Sequence, residues 1–452
     1  MTIDKDRVAE LSTQLKDRLS IRLVKSRRMY KRAEKVLPLG VPSSFQALQP
    51  HPIYVKGGKG SKIVDVDGNE YSDFHNGFGV MVMGHAHPAI AKAIAAAARK
   101  GTHFAAPHLA AIEVAEELAR RFRLPKVRFN NSGTEATMDA IHLARGFTGK
   151  DVIVKIEGSY HGHHGAAMVS VRPPIELAGP AEAPYSVPYT GGIPQSEVEL
   201  TVPVPFNDPD HLRRLLAARN DVAAVIIEPI MLNIGVVLPK PGYLEALREI
   251  TNQHNVLLIF DEVKTGVTIA AGGVVEHFGV VPDLVCLAKA IGGGTPIGAV
   301  LGRADVMELI AKSKVKQLGT FNGNPLSMAA AKACLTKVLT GEAYDRLEHA
   351  DKRLQEGCGA VIERYGLPAY TAGVRAKGCV MFATEPITDY RSWARHFDDG
   401  LNYLGWLYHM NNGVFMAPGG DEQWTLSIAL SDEEIDHYVA VFDEFARDIT
   451  RR

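Results

Sequence analysis

From about residue 125 the chain alternates short, continuous runs of apolar residues with segments of helical spacing. The apolar runs occur in "DVIVKIEG", "VAAVIIEP", "NVLLIFDE" and "PDLVCLAK", and "GYLEALREITNQHN" between two of them has the spacing of a helix. Strands that are apolar without alternation are buried on both faces, as in a parallel sheet whose crossover helices cover both sides. The sequence therefore predicts an α/β fold with a mostly parallel sheet flanked by helices.

The chain has 452 residues, which is long for one domain and suits a large domain with a smaller one. We predict that residues 76–335 form the large domain. Residues 336–452 are expected to form a smaller C-terminal α+β domain, to which residues 1–75 contribute, together with a dimer interface. The segment from Gly165 to Asn207 is rich in Pro, Gly and Ala, and a long loop of this kind is often a lid or a binding loop.

Charge and composition exclude several classes of function. The formal net charge is −1 and the pI is near 7.0, so no strong positive field attracts nucleic acid or acidic membranes. No apolar run has membrane-spanning length, and the charged N-terminus lacks the apolar core of a signal peptide, so a cytoplasmic protein is expected. The four cysteines are scattered without a CxxC pair, which argues against a metal cluster or a disulfide framework.

The turn after the first strand of this region has the groups of an anion site. In "FNNSGTEAT" a strand ends, Ser132, Gly133 and Thr134 turn the chain, and a helix begins. The free N–H groups and the dipole of a helix N-terminus bind anions, and the two hydroxyls add donors. The alternative is an ordinary N-cap with Glu135 in the first helical turn. The turn alone does not distinguish a phosphate site from a cap.

Two further strand ends carry aromatic or polar groups. In "EGSYHGHHG", His161, His163 and His164 suggest a metal, but their spacing does not suit one helix face and no carboxylate cluster accompanies them. We therefore expect no metal, and a Tyr160 ring that stacks on a flat cofactor suits the position better. Glu228 in "IIEPI" is either a carboxylate held by backbone donors or part of the floor of an active site.

Another strand end raises the question of which cation balances a buried carboxylate. Asp261 closes the apolar run "LLIF", and a buried carboxylate is costly unless a positive group pairs with it. Lys264 is the local candidate and would form a plain surface ion pair. Lys289 follows the apolar run "DLVCLA" and precedes several glycines. Burial there would lower the pKa of the amine and make it a nucleophile towards carbonyls.

One cofactor requires all of these groups together. Pyridoxal phosphate (PLP) uses an anion site, an aromatic stack, a carboxylate beside its pyridine nitrogen and a lysine that forms a Schiff base. We therefore predict PLP as the cofactor, with Asp261 beside the protonated ring nitrogen and Lys289 as the Schiff-base lysine. Lys264 is the minor alternative, because it follows Asp261 closely in a turn and does not lie on the neighbouring strand.

The chain also resembles a known enzyme family. The blocks "RFNNSGTEA", "EGSYHGH", "FDEVKTG", "LAKAIGGGTPIGA" and "GTFNGNPL" occur in the order found in class III PLP-dependent aminotransferases of fold type I, particularly the glutamate-1-semialdehyde aminomutase branch. The resemblance covers residues from about 30 to 445. It implies a fold type I PLP-dependent transferase that forms a homodimer with two active sites at the subunit interface.

The resemblance also bears on individual residues. It implies that Asp261 and Lys289 are the catalytic pair and that Thr320, in "GTFNGNP", reaches the phosphate bound by the other subunit. The full set of residues expected to bind the cofactor is Ser132, Gly133, Thr134, Tyr160, Glu228, Asp261, Val263, Lys289 and Thr320.

Departures from the family pattern bear on the reaction. The aminomutases carry "NSPVRAF", whose arginine binds the substrate carboxylate, whereas the matching stretch here is "PSSFQAL", with Gln46 at the arginine position. A neutral amide cannot form the bidentate charged pair that arginine forms with a carboxylate. Lys264 takes the place of the methionine in "FDEVMTG", and Glu422 falls where the aminomutases keep an active-site glutamate. Gln46 and Glu422 are therefore the candidate substrate-binding residues.

The predicted function is that of an aminotransferase that moves an amino group between an amine or an omega- or beta-amino acid and a keto acid or an aldehyde. The alternative is a glutamate-1-semialdehyde 2,1-aminomutase, in which the amino group moves within one molecule, and Gln46 weighs against it. A non-catalytic binding protein of the same fold would lack Lys289 or Asp261, and both are present. The expected partners are small-molecule substrates and a second copy of the chain, with no nucleic acid and no membrane.

Overall fold

A computed structural model describes residues 3–451, in which strands and helices alternate through the middle of the chain. The strands are β1 (Val55–Lys59), β2 (Lys62–Asp65), β3 (Glu70–Asp73), β4 (Lys126–Asn130), β5 (Val152–Ile156), β6 (Thr201–Val204), β7 (Val222–Ile227), β8 (Leu257–Asp261), β9 (Leu284–Ala288), β10 (Gly298–Gly302), β11 (Tyr370–Val374), β12 (Lys377–Met381), β13 (Val414–Phe415) and β14 (Trp424–Thr425).

The α-helices are α1 (Lys5–Arg22), α2 (Val24–Ala33), α3 (Asn76–Gly79), α4 (Pro88–Ala98), α5 (Leu109–Phe122), α6 (Gly133–Thr148), α7 (Gln195–Glu199), α8 (Pro209–Ala218), α9 (Tyr243–Gln253), α10 (Gly266–Ile269), α11 (Gly273–Phe278), α12 (Ala304–Ala311), α13 (Pro325–Ala333), α14 (Gly341–Tyr365), α15 (Tyr390–His396), α16 (Asp399–Asn411) and α17 (Asp432–Thr450). Short 3-10 helices span Pro38–Gly40, Ser44–Gln46, Gly165–Ala167 and Lys289–Gly292, and a π-helical turn spans Cys334–Val338.

The central sheet has seven strands in the order β4-β10-β9-β8-β7-β5-β6. The strands from β9 to β6 are parallel neighbours, whereas β10 runs antiparallel to both β9 and β4. Because parallel strands end at one edge, the carboxyl ends of β5, β7, β8 and β9 lie side by side. The predicted fold, a mostly parallel sheet flanked by helices, is confirmed.

Alternate residues of the strands face two separate apolar clusters. In β8, Leu258 and Phe260 belong to the larger cluster, whereas Ile259 belongs to a second cluster that includes residues of α6 such as Ala136 and Ala140. Side chains of successive strand residues point to opposite faces of a sheet, so both faces are covered. This double burial is the physical reason for the uninterrupted apolar runs in the sequence.

Two strands of the central sheet were not predicted. β10 lies within "PIGAVLG", where no strand was predicted, and all five of its residues are buried between β4 and β9. β6 contains Pro203 and lies at the edge of the sheet, where a missing N–H donor is tolerated. The proline in β6 and the glycines in β10 weaken the strand signal of their sequences.

The N-terminal and C-terminal parts of the chain combine in a smaller α+β unit. β1, β2 and β3 form a sheet with β13, which comes from the C-terminal part, and a third sheet has the order β11-β12-β14. α1 packs against α16, and α14 packs against α17. This confirms the smaller α+β unit, while the boundaries at 75/76 and 335/336 remain predictions.

Within residues 3–451, no helix combines the length and apolar character needed to cross a bilayer. The same residues hold no group of three His, Cys, Asp or Glu side chains arranged for a metal ion. The four cysteines are free thiols, and all of them are buried.

Candidate active site

A cavity of about 460 Å³ lies at the carboxyl edge of the central sheet. This volume is typical of sites that bind small molecules and cofactors. Its lining includes eight of the nine residues expected to bind the cofactor, namely Ser132, Gly133, Thr134, Tyr160, Glu228, Asp261, Val263 and Lys289. The fold therefore brings these residues together from five strand ends, those of β4, β5, β7, β8 and β9.

The turn at the start of α6 is both a helix cap and a wall of the cavity. The Ser132 hydroxyl accepts a hydrogen bond from the Glu135 N–H at 3.2 Å. A Cβ atom at Gly133 would lie 2.9 Å from both methyl groups of Val263, so a side chain there would clash. The N–H groups of Gly133 and Thr134 have no acceptor among residues 3–451 and remain available to an anion.

Tyr160 and Glu228 are joined at the floor of the cavity. Glu228 accepts hydrogen bonds from the Tyr160 N–H at 2.8 Å and from the Leu232 N–H at 3.1 Å. Glu228 is thus held by backbone donors and also lines the cavity, so the two interpretations of this residue are compatible. The Tyr160 ring meets Phe45 edge to face with a centroid separation of 5.9 Å. Burial, and then the Asp261 charge, raise the pKa of Tyr160 to about 12.

Asp261 is oriented by two donors at the end of β8. Its Oδ2 atom lies 2.7 Å from Nδ1 of His161, and its Oδ1 atom accepts the Val263 N–H at 3.0 Å. Nε2 of His161 is in turn 3.0 Å from the Ser159 hydroxyl. The sequence suggested a role for His161 only as a metal ligand, and its contact with Asp261 was not predicted. The position of His161 directly after Tyr160, beyond the carboxyl end of β5, was the sequence signal that could have placed it near Asp261.

Lys264 does not pair with Asp261, contrary to the local interpretation of the sequence. Its ammonium contacts Glu422 at 2.6 Å, Asp421 at 2.9 Å and the Leu232 carbonyl at 2.9 Å, with a side chain only 13% exposed. A lysine ammonium has three N–H donors, and all three are used here. Although burial disfavours the charge, the two carboxylates raise the pKa of Lys264 well above its usual value. This lysine therefore has no free amine for a cofactor.

Lys289 has the opposite character. It lines the cavity, and its amine forms no hydrogen bond or ion pair with any of residues 3–451. Burial first, and then the charges of Lys264 and Lys377, lower its pKa to about 8. Its backbone has φ 50°, a left-handed conformation that costs about 1–2 kcal/mol for a residue with a Cβ. Strained backbone of this kind is characteristic of functional sites.

These groups fit the requirements of PLP. The N–H groups at the start of α6 are free for a phosphate, Asp261 keeps acceptor capacity beyond its two donors, and Lys289 has an uncommitted amine of lowered pKa. Tyr160 supplies an aromatic ring in the same cavity. The roles of the individual residues remain predictions.

The three other predicted site residues lie outside this cavity lining. Glu422 is almost fully buried between Lys264 and Lys377, with its Oε1 atom 3.1 Å from Nζ of Lys377. Although burial acts against its charge, these two cations lower its pKa to about 2. Gln46 is exposed on the 3-10 turn whose Phe45 lines the cavity, and Thr320 is exposed on the surface of this chain.

Comparison with known proteins identifies the family of the chain. The sequence matches the family model described as Aminotransferase class-III over residues 45–444. It is 40% identical over 419 residues to a protein from Syntrophobacter fumaroxidans (strain DSM 10017 / MPOB) named glutamate-1-semialdehyde 2,1-aminomutase, covering 91% of this chain and 95% of that protein.

Solved structures of similar proteins include both reaction types. An omega-transaminase from Sphaerobacter thermophilus aligns with a TM-score of 0.87 at 35% identity, covering 93% of this chain and 97% of that one. A glutamate-1-semialdehyde-aminomutase variant from Pseudomonas aeruginosa PAO1 in complex with PMP aligns with a TM-score of 0.92 at 28% identity, covering 99% of this chain and 100% of that one. The chain belongs to the class III aminotransferases, which are PLP-dependent enzymes of fold type I.

Proposed function

We propose that this enzyme transfers an amino group from an amine or an omega- or beta-amino acid to a keto acid or an aldehyde, with Lys289 as the lysine that bonds covalently to PLP. The observation that supports this assignment is the state of the two lysines in the cavity. Lys289 is unpaired within residues 3–451 and has a pKa of about 8, whereas Lys264 is fully committed to Asp421 and Glu422.

The residues of the cavity have complementary roles in this reaction. PLP, when bound, supplies an electron-withdrawing ring that allows a proton to leave the carbon bearing the amino group. Asp261, fixed by His161 and Val263, holds a proton on the ring nitrogen. With a pKa of about 8, Lys289 is partly neutral at physiological pH, and the neutral amine can move a proton between the substrate carbon and the cofactor. The N-terminus of α6 binds the phosphate.

Two features support intermolecular transfer over the aminomutase reaction. Gln46 replaces the arginine by which the aminomutases bind their substrate carboxylate, and an amide provides no charge for that pair. Glu422, at the position of their active-site glutamate, is held by Lys264 at 2.6 Å and Lys377 at 3.1 Å and does not line the cavity within the described chain. Gln46 therefore lacks the positive charge of the arginine in the aminomutases. Glu422 is already paired with two lysines and is not available to a substrate.

The aminomutase reaction is the second candidate. It is favoured by the 40% identity to a protein named glutamate-1-semialdehyde 2,1-aminomutase and by the structural likeness to another protein of that name. Under this alternative the same cofactor residues act, and no second substrate is needed.

A donor screen tests the proposal. The purified enzyme with PLP is incubated with a panel of amines and of omega- and beta-amino acids, with pyruvate as acceptor, and alanine is measured. In parallel it receives glutamate 1-semialdehyde alone, and the positional isomer is measured. We expect alanine from several donors, no isomer, and neither product with Lys289→Ala. Efficient isomer formation without alanine would establish the aminomutase instead.

We further infer that the enzyme is a homodimer with shared active sites, in which Thr320 contacts the phosphate bound by the partner subunit. Leu318 and Phe321, on either side of Thr320, are 83% and 58% exposed in the single chain. Large apolar side chains exposed together are typical of surfaces that a partner covers. Light scattering after size-exclusion chromatography measures the mass, and a monomer would contradict this inference.

A further inference from the structure

Arg172 lines the cavity and has few hydrogen-bond or ion-pair partners among residues 3–451. Arg172 lies on the irregular segment that follows β5, and it is the only arginine among the lining residues within 3–451. Its Nη1 atom is 3.4 Å from Oδ1 of Asp421, and it forms no hydrogen bond with any described residue. The side chain is 29% exposed.

Arg391, another partly buried arginine, is bound much more firmly. Arg391 makes two 2.9 Å contacts to the Glu157 carboxylate and also donates to the Gly179 and Ala178 carbonyls. An arginine side chain has five N–H donors in a planar fork that matches a carboxylate. Arg172 lines the cavity and makes a single long ion pair within residues 3–451, so most of its N–H donors are available to a carboxylate.

The charges around Arg172 are not balanced. The cluster contains three cations, Arg172, Lys264 and Lys377, against two carboxylates, Asp421 and Glu422. Lys264 uses all three of its donors, and Lys377 is fully buried away from the cavity lining. Arg172 is therefore the cation of this cluster that can accept an anion from the cavity.

The remaining carboxylates of the cavity do not compete for this arginine. Asp261 is paired with His161, and Glu228 is held by two backbone N–H groups. Asp421 is shared with Lys264 at 2.9 Å, the shorter of its two ion pairs. Asp421 can therefore stay with Lys264 while Arg172 binds another carboxylate.

We propose that Arg172 binds the carboxylate of the substrate and that Asp421 holds its guanidinium until the substrate arrives. This assignment rests on the proposed function and specifies its substrate class: amino and keto acids are preferred to amines without a carboxylate. It also gives a carboxylate-binding residue to a site in which position 46 is glutamine. Phe45, Phe78 and Tyr189 line the same cavity, so the rest of the substrate is apolar or aromatic.

The test compares two donors that differ by one carboxylate, 3-amino-3-phenylpropanoate (the acid donor) and 1-phenylethylamine (the amine donor). Their kcat/KM values are measured with pyruvate for the holoenzyme and for Arg172→Gln. The affinity for phenylpropanoate, which has no amino group and cannot react, is measured by calorimetry. Loss of a charge-assisted bidentate pair is expected to weaken phenylpropanoate binding about tenfold to a hundredfold. The acid donor should lose a similar factor in kcat/KM, and the amine donor should change by less than about twofold.

Asp421→Asn provides the opposite perturbation. It removes the counter-ion that competes with the substrate, so phenylpropanoate binding should become about threefold tighter or more. Arg213→Gln, a matched control on the outer surface of α8, should leave both donors and the binding unchanged, because the only ion pair of Arg213 within residues 3–451 is with Asp210 at 3.8 Å. Circular dichroism and the visible absorbance of the bound cofactor show whether each variant is folded. If Arg172→Gln does not fold, Asp421→Asn decides the question.

The proposal is overturned if Arg172→Gln weakens both donors equally or neither, if the holoenzyme does not bind phenylpropanoate, or if Asp421→Asn fails to tighten it. Failure of the proposed function is a separate outcome. A wild-type enzyme that transfers no amino group from any donor, but binds phenylpropanoate in an Arg172-dependent way, would refute the transaminase reaction and leave the carboxylate site intact.

Discussion

Replacement of Lys264 by alanine tests the assignment of the two lysines and the energetics of the cluster behind the cavity. The substitution removes the closest partner of the Glu422 carboxylate, at 2.6 Å, and leaves Lys377 at 3.1 Å. Glu422 is buried, so the loss is not compensated by water. The Schiff-base assignment to Lys289 predicts that the variant still attaches PLP.

The expected loss of stability follows from the burial of this ion pair. Removal of one partner from a buried ion pair lowers the free energy of unfolding by about 3–5 kcal/mol. Because Lys377 still contacts Glu422 in the variant, we expect a decrease at the lower end of this range, about 3 kcal/mol. An entropy of unfolding of about 2.1 cal/mol/K per residue then predicts that the Tm of the chain falls by about 3 °C if it unfolds cooperatively. The exposed pair of Lys312 and Glu308, at 3.7 Å, is the control. Lys312→Ala should change the stability by less than about 0.5 kcal/mol.

Urea unfolding and a double-mutant cycle measure the effect. In the cycle, Glu422→Gln removes the charge that Lys264 leaves unpaired, so the double variant should be more stable than the sum of the single changes predicts. The pH dependence gives a second readout. Because the pKa of Glu422 is lowered to about 2 from 4.5, its contribution is present above pH 4.5 and is lost as the pH falls towards 2. In Lys264→Ala this acid-induced loss should be smaller.

Three results would refute this reasoning. A destabilisation no greater than that of Lys312→Ala would show that the pair is not effectively buried. Additive single effects in the cycle would remove the coupling between Lys264 and Glu422. A variant that no longer attaches PLP, with Lys289 intact and the chain folded, would reverse the assignment of the two lysines.

Further outcomes are expected at the predicted cofactor residues. Lys289→Ala should lose nearly all turnover and all borohydride-fixed cofactor, and a cofactor fixed to Lys264 instead would contradict the assignment. The rate of covalent PLP attachment to the wild-type apoenzyme should rise as the pH rises through about 8, because only the neutral amine of Lys289 attacks, and a rate independent of pH between 6 and 10 would exclude the lowered pKa. Asp261→Asn should bind PLP but turn over at least about a hundredfold more slowly, since a neutral amide no longer favours a protonated ring nitrogen; near wild-type turnover would remove Asp261 from the mechanism. In a mixed dimer of a Lys289→Ala chain with a Thr320→Ala chain, one site should carry both defects and the other neither, and two impaired sites would place Thr320 in the site of its own chain.

Sequence alone determined the elements of the central sheet whose burial leaves a local signature. β5, β7, β8 and β9 are buried on both faces, and each contains a continuous run of three or more apolar residues, although Lys155 interrupts β5. Because parallel strands end at the same edge, the positions of Asp261 and Lys289 at two strand ends were enough to predict that they share one cavity. The cofactor and the family followed from that placement and from the order of the sequence blocks.

Tertiary structure decided every feature that depends on partners far apart in the chain. β10 is a strand because β4 and β9 enclose it, and its two glycines weaken the strand signal of its sequence. Lys264 lies three residues after Asp261 in the sequence, yet its partners are Asp421 and Glu422, more than 150 residues away. The lowered pKa of Lys289 likewise depends on burial and on the charges of Lys264 and Lys377. Local sequence patterns record which side chains are buried, whereas the partner of each buried charge is fixed only when distant segments pack together.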